Sequence, residues 1–309
     1  MLSNFLSKSK PINFIVIFGL FFFVFVAFTV HSFLNYQFNL NTCLKSVGFL
    51  TLFSVLFFFF NFIISKNQLT FDNSYAYFIF TILSCCFFEI LFDYENLVIY
   101  TIQIFFLRKI YSLKSSKNTL QKLFDAGLWM GILFILQPFT IIFSVLIYAA
   151  IIFFKKLNLN NLCIPIIGFI PPLLLFFTHA FWFDETYLFT NLFYFDNLKS
   201  IGFYNEGISF WVTIVLLFFT LLGIVLKSPK ALSINNSFKR SWQVLIVNIS
   251  IAIIFALLTP KKNGSELLFL LFPASVIIGN GVEVIQKTLL KNILFLLFLI
   301  SCFIVPFIF

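Results

Sequence analysis

The chain is 309 residues long, 61% hydrophobic and only 10% charged, with a formal net charge of +9. A water-soluble domain carries about a quarter charged residues, so this composition excludes one and points to a polytopic membrane protein. The basic excess sits in short loops between apolar runs, where it answers to membrane orientation and gives no reason to expect a nucleic-acid partner.

Met1 to Lys10 carries Lys8 and Lys10, a basic start that leads into the first apolar run, Pro11 to Val30. That run is too long for a signal-peptide core, and no small-residue cleavage site follows it, so it reads as a retained first span. The loop His31 to Asn41 contains no acid, and a second run, Leu44 to Ser65, returns to Lys66. Tyr75 to Leu91 carries Glu89 near its far end and delivers Asp93 and Glu95. Leu97 to Leu107 then leads to Arg108, Lys109, Lys114, Lys117 and Lys122.

The stretch from Leu123 to Phe154 is interrupted at Gln137-Pro138 and stopped by Lys155-Lys156. One continuous helix would put Lys122 and the Lys155-Lys156 pair on opposite sides of the membrane, against the rule that retains cations on the cytoplasmic side. Pro138 also removes a backbone donor and disfavours helical geometry at Gln137, so two short spans or a re-entrant hairpin are predicted. Leu162 to Ala180 contains Pro165, Pro171 and Pro172 and is expected to kink. A polar segment with Asp184, Glu185, Asp196 and Glu206 follows. The last four runs are Ile208 to Leu226, Trp242 to Leu258, Leu267 to Glu283 and Ile293 to Phe309.

The expected fold is an all-α membrane helix bundle of about 11 spans, one integral membrane domain over 1–309 with no soluble domain. The expected location is a bacterial cytoplasmic membrane, N-terminus cytoplasmic and C-terminus outside. On this topology only Lys45, Lys199, Lys261 and Lys262 of the twenty Lys and Arg fall outside. Asp93, Glu95, Asp184, Glu185, Asp196, Glu206 and Glu266 collect there.

Lys261 and Lys262 therefore stand out, adjacent on the side where cations are disfavoured. Beside Gly264 and a helix start, two ammonium groups suit a phosphate on a lipid carrier; the plainer reading is a solvated loop next to Glu266. Asp93, Glu95 and Asp184 lie near helix ends, where a carboxylate can serve as a general base or hold a divalent cation, or can simply anchor the interface. Glu89 lies deeper, and intramembrane acids are functional candidates. The two His are far apart and the five Cys lack metal-ligand spacing, so no His/Cys metal centre is expected and the cysteines read as small buried residues. The 52 Phe read as lipid-facing filler rather than a ligand groove.

Two stretches resemble the GT-C glycosyltransferases, multi-spanning enzymes that take sugars from polyprenyl-phosphate carriers on the outer face of the membrane. Asp93 to Phe154 is similar in its outer acid, apolar helix ending in Arg, short basic loop, Ala126-Gly127 helix start and polar-Pro break. Thr259 to Glu283 is similar in Pro260-Lys261-Lys262 followed by a Leu-rich helix with Pro273, Gly279 and Gly281. The resemblance implies catalytic acids among Asp93, Glu95 and Asp184, lipid-phosphate binding by Lys261 and Lys262, and a polyprenyl-phosphate glycan carrier as partner. The chain departs from that pattern in its first outer loop, which has no acid. As a whole it also resembles a family of Phe-rich multi-pass membrane proteins of Bacteroidota, which implies no activity. The alternative is a non-catalytic subunit scaffolding an envelope secretion, assembly or transport complex, with membrane or envelope proteins as partners.

Overall fold

The computed structural model describes residues 2–35, 40–194, 208–233, 236–260 and 262–303. Among them the regular structure is entirely helical: α1 (Leu2–Leu6), α2 (Pro11–Asn35), α3 (Leu40–Asn67), α4 (Tyr75–Cys86), α5 (Phe88–Leu91), α6 (Tyr94–Ser112), α7 (Thr119–Leu136), α8 (Ser144–Phe153), α9 (Leu159–Trp182), α10 (Thr186–Asn191), α11 (Ile208–Ser233), α12 (Asn236–Leu258), α13 (Leu268–Val284) and α14 (Thr288–Phe303). Seven helical segments among the described residues are long and apolar enough to cross a membrane. Tyr75–Cys86, Pro138–Phe153 and Thr288–Cys302 are apolar but shorter.

The polypeptide divides into two compact units, each built from segments distant in the chain. Unit 1 comprises Met1–Val98, Tyr204–Leu232 and Leu271–Phe309, and unit 2 comprises Ile99–Phe203 and Ser233–Leu270.

The core of unit 1 is aromatic. Phe21, Phe53, Phe57, Phe60 and Phe80 are fully buried. Phe60 and Phe80 stack with ring centroids 3.8 Å apart, and Phe21 meets Phe57 at 4.6 Å and Phe53 at 4.8 Å. The filler reading thus fits exposed residues such as Phe23 and Phe218 but not this core: lipid tails are as apolar as the side chains, so close packing and ring geometry must hold α2, α3 and α4 together. Where helices α11 and α13 cross, a Cβ on Gly281 would stand 2.6 Å from the Gly223 Cα. At one end of the unit Lys227 Nζ lies 3.2 Å from Glu283 Oε2 and 4.6 Å from the Phe71 ring centre. Asn280 Nδ2 donates to the Leu69 carbonyl at 2.9 Å, and Lys291 Nζ lies 3.4 Å from the Tyr75 hydroxyl.

Unit 2 is built on the crossing of α7 and α9. Gly127 faces the Pro165 carbonyl and Gly168 faces the Phe124 carbonyl, each so closely that an added Cβ would overlap the oxygen. Small residues allow this approach of two backbones, the usual device for helix pairing in lipid. Despite its three prolines, α9 is one helix from Leu159 to Trp182. Gln137 is extended at φ −147° and ψ 96°, and Pro138–Phe143 forms a 3-10 segment before α8. The break at Gln137-Pro138 is therefore real, and the single-helix reading falls. The run Tyr75 to Leu91 also breaks, at Phe87, where α4 ends and the one-turn α5 begins.

Polar contacts gather at one end of unit 2 as well. Lys109 Nζ contacts Asp125 Oδ2 at 2.5 Å, Lys122 Nζ donates to the Ser112 carbonyl at 2.8 Å, and Lys156 Nζ donates to the Ser115 carbonyl at 3.1 Å. Burial pulls the ammonium groups of Lys114 and Lys156 below their ordinary range. The expectation of buried cysteines holds only for Cys302; Cys43 and Cys163 are exposed, and Cys85 and Cys86 half-buried.

Candidate functional site

Asp93 and Glu95 lie at the start of α6, both exposed, within unit 1; Asp184 is exposed in unit 2, in a left-handed backbone conformation at φ 56°. Glu89 is exposed too. Lys261 lies outside the described residues. Lys262 is half-buried and donates from Nζ to the carbonyls of Ala256 at 2.5 Å and Leu257 at 3.1 Å, two of the acceptors left open at the end of α12. Burial draws its ammonium below the ordinary lysine range. Nearby Glu266 is fully buried, and its carboxylate accepts from the backbone N–H of Gly264 and its own. Lys262 thus has the geometry of a helix cap.

A more developed cavity lies in unit 1, about 550 Å³, where the start of α2, the last turns of α3 and the start of α4 meet. Its polar lining is Ser9, Lys10, Asn61 and Ser74, and its apolar lining includes Phe14, Ile15 and Phe58. Tyr77 also lines it; the side chain is 4% exposed, and its hydroxyl has no hydrogen-bond partner among the described residues. That hydroxyl is closed off from the cavity, and the Tyr77 ring packs on Phe14 with centroids 4.9 Å apart, so Tyr77 forms part of the wall.

Local sequence explains how this rim is held. Pro11 takes the first helical position, where its missing N–H costs nothing. Asn13, 1% exposed, turns its amide back on the preceding loop and donates to the carbonyls of Phe5 at 2.9 Å and Lys8 at 2.8 Å. Its Nδ2 also lies 3.5 Å from Ser74 Oγ, while the Ser74 N–H donates to the Leu6 carbonyl at 2.9 Å. These bonds fix Lys10 beside the positive end of the α2 dipole, an arrangement that favours an anion. Phe14 and Phe58 supply an apolar wall beside it.

Sequence reasoning missed this site because its members come from three helices. The one local signal is Ser9-Lys10-Pro11, a cation set immediately before a proline-started helix. Among the described residues no group of three or more His, Cys, Asp or Glu is arranged to hold a metal ion.

Apolar helices of spanning length, joined through glycine crossings and carrying polar contacts at their ends, define a polytopic helical membrane protein. More particularly, the chain belongs to the family of unknown function DUF6427, whose model matches residues 1–309. No curated protein and no solved structure matches it.

Proposed function

We propose that the protein is a non-catalytic component of a bacterial inner membrane that binds a phosphate-bearing lipid through the Lys10–Tyr77 cavity. The observation that carries this reading is the convergence of the Lys10 ammonium group and the N-terminus of α2 on one apolar-walled cavity. A lipid phosphate suits the polar end, and its chain suits Phe14, Ile15 and Phe58. Polyprenyl phosphate is the first lipid to test, because its phosphate suits the Lys10 end of the cavity and its long apolar chain the phenylalanine wall. Transferase chemistry by Asp93, Glu95 or Asp184 draws no support from local geometry, since each of the three is exposed. Capping of α12 by Lys262 likewise argues against its use as the carrier-phosphate ligand. The role in an envelope assembly is therefore that of a lipid-holding subunit, with N-terminus and cationic helix ends cytoplasmic.

The test is polyprenyl-phosphate binding to the purified full chain, read by native mass spectrometry. Lys10→Met should weaken binding by about fivefold, and Lys10→Arg, which keeps the charge, should retain most of it. Without lipid, both variants should melt like wild type, since Lys10 is exposed. Equal binding by wild type and Lys10→Met would refute the assignment.

A further inference from the structure

A second cleft, about 310 Å³, lies wholly within unit 2, where the C-terminal end of α8 meets the first two turns of α12. Its lining includes Lys155, Lys239 and Arg240, the amide side chains Asn236 and Gln243, and no carboxylate. Three lysines at this end of the unit have internal acceptors: Lys109 has Asp125, Lys122 the Ser112 carbonyl and Lys156 the Ser115 carbonyl. Lys155, Lys239 and Arg240 instead converge on one cleft with no acid among them.

The backbone at Lys155 adds a second observation. Helix α8 ends in a Schellman turn, with the Lys156 N–H donating to the Ile151 carbonyl at 2.9 Å and the Lys155 N–H to the Ile152 carbonyl at 3.0 Å. That turn puts Lys155 at φ 56°, the left-handed position where glycine is favoured and a Cβ is strained. A lysine is kept where the turn itself would prefer glycine, and its side chain lines the cleft.

We infer that this cleft binds a phosphate-bearing anion, held by Lys155, Lys239 and Arg240, with Asn236 and Gln243 available for further hydrogen bonds. Guanidinium and ammonium groups pair well with phosphate oxygens, and the anion relieves the repulsion among three like charges. The cleft lies at the ends of two apolar segments, Pro138–Phe153 and Asn236–Leu258, where a bilayer crossed by α12 would present its headgroups. Ile152, 52% exposed and also in the lining, offers an acyl chain an apolar path. An anionic phospholipid headgroup thus fits, and a soluble phosphate compound shares the same chemistry; basic pockets between helix ends are known hosts for such headgroups. This inference is independent of the Lys10–Tyr77 cavity.

The experiment compares phosphatidylglycerol with phosphatidylcholine retained on the full-length chain in native mass spectrometry, and measures the melting shift given by inorganic pyrophosphate in neutral detergent. Wild type should retain phosphatidylglycerol selectively. Lys155→Gly should melt no lower than wild type yet lose about fivefold in affinity, and the triple variant Lys155→Gly/Lys239→Gln/Arg240→Gln about 100-fold. Lys10→Met should leave this Lys155-sensitive binding intact. Protection by pyrophosphate, lost in the triple variant, would support the phosphate site and identify a soluble source; protection by lipid alone supports a headgroup. The inference is overturned if the triple variant binds both probes like wild type, or if Lys155→Gly melts lower with binding unchanged, which would make Lys155 a structural cap.

Discussion

Replacing Glu283 by Gln tests the most buried ion pair described in this protein. The Lys227 side chain is 3% exposed and that of Glu283 19%, with 3.2 Å between Nζ and Oε2. Removing one partner of a buried pair costs about 3–5 kcal/mol, because the other charge stays uncompensated. The partial exposure of Glu283 and the Phe71 ring 4.6 Å from the ammonium both soften that cost, putting the expectation near the lower end, about 3 kcal/mol. At roughly 2 °C per kcal/mol for a chain of this size, melting should fall by about 6 °C. The assay is loss of the monodisperse peak of detergent-purified protein after heating at a fixed rate. A double variant, Lys227→Met with Glu283→Leu, removes both charges and should recover most of the loss. If Glu283→Gln melts within about a degree of wild type, or the double variant is no better than the single, the pair is not the constraint argued here.

Gly168→Leu should prevent α9 from seating on α7 and abolish the monodisperse species, whereas Gly19→Ala, with no atom within 4 Å of the added Cβ, should be neutral or gain about 0.5–1 kcal/mol. Lys262→Met should lower the melting temperature at pH 7, because two α12 carbonyls lose their donor. Burial lowers the folded-state pKa of Lys262 below the ordinary 10.5, so the native protein loses that proton first and the penalty on the charged form fades as pH rises through the folded value. Wild type should therefore gain on Lys262→Met between pH 7 and alkaline pH in parallel melts. For the proposed orientation, a cysteine at Ser115 in a cysteine-free background should be shielded from impermeant thiol reagent in intact spheroplasts, while one at Asn197 should label. Labelling at Ser115 without lysis would invert the topology.

Helical character was legible because apolar length and charge punctuation are properties of the chain itself. The Gln137-Pro138 break follows from one residue's covalent geometry. By contrast, the end of α4 at Phe87 has no such breaker, and the Tyr75–Leu91 run looks continuous until its neighbours are known. Gly127 and Gly131 have the spacing of a small-residue helix face, a legible signal; its partner Gly168 is set by tertiary packing. Charge placement singled out Lys262, but its contacts with the carbonyls of Ala256 and Leu257 depend on the turn after α12 and were not legible. Tyr77 offered no signal, since its unmatched hydroxyl is visible only once its neighbours are in place.

The interleaving of the two units sets an order on biosynthesis. Every residue of unit 2 has been made before translation reaches Leu271, whereas unit 1 still needs the segment beyond it. Until then Lys227 has no Glu283, Leu69 no Asn280, and the Ser3 N–H lacks the Asn292 Oδ1 that it meets at 2.9 Å. An interrupted nascent chain therefore carries all of unit 2 while unit 1 still lacks its last segment, so the Lys227–Glu283 pair closes only when synthesis is nearly finished.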